Sequence, residues 1–234
     1  MSLEDLLGCF NLTHQEAVLY LLLCAEGRLT GYEASKLSGI SRSNTYTSLA
    51  ALVEKGAAWL EEGAATRYTP VPVAEFCDNR LRKMRENREL LVRSVTGPHR
   101  KTEGYLTIKG ERNIFDKMRN MIDEAQERVY IAVSGTTLAL VTPELKQAVD
   151  RGLKVVIITS PPFDMEGAMI YLSTTSQEQI RLIADSRNVL TGDIKSEAES
   201  SCLYSNKKNL VDLFKRALKN EIELARIQER SQTI

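Results

Sequence analysis

Apolar positions along the chain change their period twice. Up to about residue 55 they recur at helical spacing, across residues 73–95 they thin to a sparse seam, and from residue 104 onward short apolar runs alternate with helix-spaced stretches. In the first regime, Thr13-His14-Gln15-Glu16 opens the run Ala17-Val18-Leu19-Tyr20-Leu21-Leu22-Leu23, and Thr30-Gly31-Tyr32-Glu33 opens a short helix through Leu37. A Thr followed three residues later by a Glu is a capping box, in which each side chain satisfies an orphan backbone N–H of the first turn. The first helix ends near Gly27. Ser38-Gly39-Ile40 makes a tight turn, and Ser41 caps a third helix over residues 42–55 with Tyr46, Leu49, Leu52 and Val53 as its expected inward stripe. Residues 57–61 and 65–71, on either side of Glu62-Gly63, read as a β-hairpin with Trp59 and Tyr68 on its arms. A short helix, a glycine turn, a second helix and a hairpin together predict a winged helix-turn-helix over residues 1–72.

In the second regime Cys77, Leu81, Met84, Leu91 and Val95 stand four and three residues apart in alternation, with Arg88 in the remaining place. That seam predicts a linker helix over residues 73–98 in which Leu81, Met84, Arg88, Leu91 and Val95 pair two copies as a short coiled coil. A surface helix docked on its own domain is the alternative. Thr96-Gly97-Pro98-His99-Arg100-Lys101 breaks the helix and marks a domain boundary.

The third regime, residues 103–234, predicts strands at 104–108, 128–134, 153–159, 179–184, 188–191 and 200–204. A helix over 111–126 carries Ile114, Phe115, Met118, Met121, Ile122 and Ala125 on one face, a shorter one covers 143–151, and Asn206 can cap a closing helix over 207–230. Leu210, Phe214, Ala217 and Leu218 are its expected docking stripe. Strands alternating with helices imply parallel βαβ units, so the fold class is multi-domain: an α+β winged helix, a helical linker and an α/β layer domain.

Composition adds exclusions. Hydrophobic residues are 43% and charged residues 26% of 234, so wholesale disorder is excluded. The apolar run at 17–25 falls short of the ~20 residues of a membrane span, and Glu4 and Asp5 stand where a basic leader would be, so a cytoplasmic protein without membrane attachment is expected. Cys9, Cys24, Cys77 and Cys202 are isolated and read as reduced, mostly buried thiols, with no cofactor and no metal expected. The total charge is zero, which excludes a uniformly basic nucleic-acid coat. Residues 1–70 hold five Lys/Arg against eight Asp/Glu, whereas residues 71–101 hold eight against four.

The start of the third helix carries the candidate chemistry. Arg can pair with guanine, Asn with adenine, and hydroxyls with phosphates or base edges. Ser41, Arg42, Ser43, Asn44, Thr45 and Thr47, with Lys36 and Arg67 on the same face, are therefore the expected contacts to double-stranded DNA. The alternative is a polar helix face used for protein contacts, which the acidic balance of this segment favours. In the second domain the strand ends, Ser134-Gly135-Thr136-Thr137 and Thr159-Ser160-Pro161-Pro162, can hold a small-molecule effector, a sugar or an anion; ordinary turn chemistry explains them equally. Asp164, Asp185 and Asp193 can add polar contacts, and their spacing selects no metal.

Gly39-Ile40-Ser41-Arg42-Ser43-Asn44-Thr45-Tyr46, the Leu52-Val53-Glu54-Lys55-Gly56 run, and Thr66-Arg67-Tyr68-Thr69-Pro70-Val71-Pro72 resemble the winged helix of the TrmB family of transcriptional regulators. This chain has Asn44 where a Lys is common there. Its wing, Gly63-Ala64-Ala65-Thr66, leaves Arg67 as the cation, which implies a weaker wing contact to phosphate. The second half resembles that family's phospholipase-D-like regulatory domain through the Tyr105 strand, the Glu111 helix, the paired apolar strands, Arg181-Leu182-Ile183-Ala184-Asp185 and the closing helix from Asn209. The further C-terminal extension of longer, sugar-sensing members is not expected. The resemblance implies a homodimeric DNA-binding regulator controlled by an effector. It also raises a degenerate phosphodiesterase or nuclease, whose H-x-K-x-x-x-x-D motif supplies a His nucleophile. His14 has no Lys two places on. His99 has Lys101, but Leu106 stands in the Asp position, so no catalytic residue is assigned.

Overall fold

Three successive capping boxes set the helices of the N-terminal half. In each, the cap hydroxyl accepts an N–H from three residues on and an acidic side chain reaches back: Ser2 with Asp5, Thr13 with Glu16, and Thr30 with Glu33. The computed structural model describes residues 1–63, 65–95, 104–160, 162–172, 179–195 and 199–231. The chain divides into two units, Met1–His99 and Arg100–Ile234; the boundary segment read at 96–101 lies outside the described residues.

The first unit runs α1 (Leu3–Cys9), α2 (His14–Glu26), β1 (Leu29–Thr30), α3 (Gly31–Ser38), α4 (Arg42–Glu54), β2 (Ala58–Glu61), β3 (Arg67–Pro70) and α5 (Val73–Ser94). Gly39 ends α3 in the left-handed region at φ +71°, where a side chain would be strained, and so makes the tight turn into α4. Strands β2 and β3 form the expected hairpin with Leu60 opposite Tyr68. β1 adds a third strand with Leu29 opposite the other edge of Tyr68. The core joins Leu19, Tyr20 and Leu23 of α2 to Leu49 and Leu52 of α4 and to Phe76. Tyr20 also donates its hydroxyl to the Val71 carbonyl at 2.7 Å, tying α2 to the approach to α5. On the edge of this core Lys55 reaches Glu16 at 2.6 Å. Burial raises the Glu16 pKa, but the Lys55 ammonium and the Thr13 amide outweigh it and hold the carboxyl below its ordinary value.

The inward face of α4 differs from the expected stripe. Thr45, Ser48, Leu49 and Leu52 are buried, Val53 is half-buried, and Tyr46 is 48% exposed. Thr45 tolerates burial because its hydroxyl donates within the turn, to Ser41 at 3.0 Å with Ile40 at 3.3 Å. Tyr46 lies instead across Gly31, where any Cβ would come within 2.4 Å of its ring.

The second unit runs β4 (Tyr105–Lys109), α6 (Glu111–Glu124), β5 (Arg128–Ala132), α7 (Gly135–Ala139), α8 (Thr142–Asp150), β6 (Lys154–Thr159), β7 (Met169–Leu172), β8 (Gln179–Ala184), β9 (Asn188–Asp193), β10 (Ser201–Ser205) and α9 (Lys208–Ser231). Its seven-stranded sheet has the order β4-β10-β9-β8-β5-β6-β7. Among the described residues the β5–β6 and β6–β7 pairs are parallel, as the expected βαβ units require, and the remaining pairs are antiparallel, so the sheet is mixed. The reason is connection length: β8 and β9 are joined by residues 185–187, too few for a crossover, and must pair antiparallel. One face, with Val129, Ile131, Val155 and Ile157, packs on the six-residue stripe predicted for α6 and on α8. The other, with Ala132, Ile158, Ile183 and Val189, packs on Val211 and Leu218 of α9. Leu210 and Phe214 join that contact as expected, whereas Ala217 is exposed. Of the four free thiols, Cys202 is buried, which pushes it up to about 11, and Cys77 is half-buried; Cys9 and Cys24 are exposed, against expectation.

Asp185 begins the β8–β9 turn at φ +51° and accepts the backbone N–H groups of Gln126, Glu127 and Arg128 at 2.9, 2.8 and 3.0 Å. Its role is thus to lock the start of β5 rather than to meet a ligand. Burial raises its pKa, and the three N–H groups more than reverse that, leaving it below the ordinary 3.8. A lowered carboxylate stabilises the fold above its unfolded pKa and loses that contribution as pH falls through the folded value. Asp185→Asn keeps the tolerance for positive φ but gives up the charge. It is expected to cost about 1–2 kcal/mol at neutral pH, with the gap to wild type closing below pH ~4; urea unfolding of both proteins across pH measures it.

Candidate functional site

The first turn of α4 stands out from the turn before it. Ser41 caps it by accepting the Asn44 N–H at 3.4 Å, and Arg42, Ser43, Asn44 and Thr47 are exposed behind that cap. Arg42 is not loose: its guanidinium lies over the Tyr32 ring at 4.6 Å, so α3 positions it. Lys36 is exposed on the last turn of α3, and Arg67 is half-buried at the start of β3, paired across to Thr30 and Glu61. Thr45 does not belong with them; it is fully buried with its hydroxyl spent inside the turn. Thr47 uses its hydroxyl on the Ser43 carbonyl at 3.0 Å but stays exposed. Tyr32 and Tyr46 are both about half exposed; Tyr46 is expected in the core from its spacing, and no sequence signal marks Tyr32.

The acidic balance of the first unit changes meaning once partners are assigned. Lys55 pairs with Glu16 and Arg28 with Glu61, while Asp5, Glu16 and Glu33 serve as helix caps. Lys36, Arg42 and Arg67 have no carboxylate within 4 Å among the described residues, although Arg67 helps lower the Glu33 carboxyl. What remains exposed at this helix start is cationic and hydroxyl-bearing.

α5 is anchored at its beginning and bare beyond it. Phe76 is fully buried, 5.5 Å from the Tyr20 ring and 6.3 Å from Phe10, and Arg80 donates to the Phe10 carbonyl at 3.0 Å. From Leu81 to the end every described residue is exposed, including Leu81, Met84, Arg88, Leu91 and Val95 of the expected seam and Leu90 and Val92 beside it.

In the second unit the strand ends are committed to local structure. Ser134 caps α7 by accepting the Thr137 N–H at 3.2 Å, and it shares hydrogen bonds with the Thr136 and Thr137 hydroxyls at 2.9 and 3.1 Å. Gly135 donates to the Ser160 carbonyl at 3.2 Å. Ser134, Thr137 and Thr159 are buried, the Thr159 hydroxyl without a hydrogen-bond partner among the described residues, and Thr136 is exposed while Gly135 and Ser160 are half-buried. Pro161 and His99 lie outside the described residues; His14 is exposed in the first turn of α2. Asp164 and Asp193 are exposed, and among the described residues no three His, Cys, Asp or Glu side chains gather as a metal site.

A cleft of about 640 Å3 opens instead between α9 and the sheet face of β5, β6 and β7. Tyr130, Val156, Met169 and Tyr171 form its floor. Six cations and two carboxylates line it, so the field inside is positive. Sequence reasoning missed this site because Lys154 and the α9 cations meet only in the folded unit. No single helix among the described residues is long and apolar enough to cross a membrane.

A family model for the sugar-specific transcriptional regulator TrmB matches residues 6–74, and a model for the N-terminal subdomain of the TrmB EBD matches residues 105–219. The chain is 32% identical over 180 residues to YrhO, an uncharacterized protein of Bacillus subtilis, covering 76% of this chain and 66% of that one. It is 26% identical over 168 residues to the DNA-binding HTH-type transcriptional repressor TrmBL2 of Thermococcus kodakarensis, covering 64% of each. The solved structure of TrmBL2 as an archaeal chromatin protein aligns over 95% of this chain and 98% of that one, with a TM-score of 0.47 and 22% identity. The chain spans about two thirds of the length of the curated relatives it matches.

Proposed function

The chain belongs to the TrmB family of sugar-specific transcriptional regulators, and from that premise we propose that it is a homodimeric, cytoplasmic, sequence-specific DNA-binding regulator whose second unit senses an effector. The observation that carries this reading is the α4 start: a capped, exposed helix N-terminus presenting Arg42, Ser43 and Asn44, with Arg42 held on Tyr32. A helix entering the major groove by its N-terminus needs those properties together. The bare seam of α5 supports the dimer, because a pair of winged helices reads a two-fold operator whose half-site spacing follows from the dimer geometry. An effector that binds one arrangement of the second units better than another then shifts that spacing.

The reading includes no phospholipase-D-type catalysis. A phospholipase-D-type step runs through a phosphohistidine, and neither histidine of this chain stands in such a motif. A winged helix used only for protein contacts is the second reading, favoured by the exposed Trp59 and Leu60 on β2.

Arg42→Ala and Asn44→Ala separate the two. Each is expected to weaken binding to a specific DNA site by about 1–3 kcal/mol, roughly 5- to 150-fold, with thermal stability unchanged, because both side chains are exposed. Fluorescence anisotropy on a labelled site measures the loss. Wild-type affinity in both variants would remove α4 from the DNA interface.

A further inference from the structure

The cleft under α9 sets cations beside tyrosines along its length. Arg128 and Lys154 are register partners at the start of β5 and β6, so they stand side by side at one end. Two residues on, Tyr130 occupies the same face, and β7 brings Tyr171 opposite Ile158 further along. Arg226 of α9 holds Tyr171 in place, donating to its hydroxyl at 2.7 Å with the guanidinium 5.2 Å from the ring centre. Lys154 stands over Tyr130, 5.9 Å from its ring centre, so each tyrosine of the cleft has a cation beside it over an apolar floor.

The cations of the cleft are not all spent. Arg128 pairs with Glu127 and Lys219 with Glu223, and Asp212 is engaged by Lys208 at 2.6 Å. Among the described residues Lys154, Lys215 and Arg216 have no carboxylate within 4 Å, and Lys215 and Arg216 share with Lys208 the one Asp212 charge, whose carboxyl they help hold below its ordinary value. Unpaired cations gathered beside apolar surface repel one another and are relieved by an anion. The volume suits a small molecule, since such pockets run to about 300–1,000 Å3 with apolar walls and a few polar anchors. A tyrosine face takes the face of a sugar or a base.

We propose that this cleft, and not the strand ends, is the ligand site of the second unit, and that it takes a phosphorylated, ring-bearing metabolite. The phosphate lies among the cations of the cleft, Lys154 and Lys215 included, and the ring lies beside Tyr130 and Tyr171. As an effector site it rests on the regulatory reading above; as a binding site it does not.

Isothermal titration of the full chain with glucose 6-phosphate, AMP, glucose, adenosine and inorganic phosphate tests it. Saturable binding of glucose 6-phosphate or AMP is expected, about tenfold or more tighter than either of its separate parts, and which of the two binds distinguishes a sugar from a nucleoside. Each charge-assisted contact is worth enough that Lys154→Gln and Lys215→Gln each weaken binding by about tenfold or more. Tyr130→Leu weakens it too, while Lys146→Gln on α8, across the sheet, leaves it unchanged; the surface lysine variants keep the wild-type circular dichroism. Absence of binding by both phosphorylated compounds overturns the proposal, as does binding that ignores Lys154→Gln and Lys215→Gln. Cleft-dependent binding that leaves DNA affinity unaltered upholds the site and overturns only its regulatory consequence.

Discussion

Phe76→Ala is expected to destabilise the first unit by about 3–5 kcal/mol, the usual cost of removing a fully buried aromatic ring. The ring is inaccessible to solvent and packs between Tyr20 of α2 and Phe10 after α1. Truncation removes its own burial and leaves a void that Tyr20 cannot fill, because the Tyr20 hydroxyl is tied to the Val71 carbonyl. The consequence reaches beyond stability. Phe76 is the one buried residue of α5, so it holds the linker helix onto the helix-turn-helix. Hydrogen exchange across residues 1–95 should rise in the variant while residues 104–231 keep their protection. Leu81→Ala, five residues on and exposed, should change stability by less than about 0.5 kcal/mol. A Phe76→Ala loss below about 1 kcal/mol would show that α5 is not anchored by this contact.

The second large effect concerns the bare part of α5. Met84→Glu combined with Leu91→Glu is expected to convert a dimer into a monomer and to weaken operator binding by about 100-fold or more. Both side chains are exposed in the single chain, so their replacement leaves the first unit's core intact. In a dimer both would sit in the seam, where four carboxylates in close apposition are strongly unfavourable. The affinity loss is larger than for any single base contact because the second half-site is bound at high effective concentration only while the two winged helices are joined; linking two modules adds 10²–10⁴ in general. Light scattering gives the mass and anisotropy the affinity. A variant that stays dimeric would place the interface elsewhere.

Local signals were legible in the sequence and tertiary ones were not. The Thr13 and Thr30 caps, the Gly39 turn and the Ser41 cap are set within four residues, and each stands where the spacing puts it. The α6 stripe, five buried apolar residues on a polar helix with Ala125 at its C-cap, is equally plain. Thr45 and Tyr46 exchanged roles because hydrophobicity alone cannot show that a threonine hydroxyl finds carbonyls at Ile40 and Ser41, or that Gly31 leaves room for a ring outside the core. Phe76 was passed over because the heptad begins at Cys77, one residue later. The antiparallel half of the second sheet depends on which strands meet, and β7, four residues at the sheet edge, has too little pattern to announce itself. The helix start of the candidate DNA interface was readable from one stretch of chain. The cleft was not: Lys154, Tyr171 and Lys215 are brought together by the fold and share no motif.

The most direct measurement is a selection of duplexes from a random pool by the purified chain, followed by titration of the enriched sequence across salt. The account predicts an inverted repeat with half-sites separated by about one helical turn of DNA or a multiple of it. It also predicts that log affinity falls with log salt at about −0.9 per phosphate contacted, with Arg42→Ala relaxing the preference at one position in each half-site. A pool that never converges on a motif would contradict the account, and so would a single unrepeated half-site bound equally by the Met84→Glu/Leu91→Glu variant.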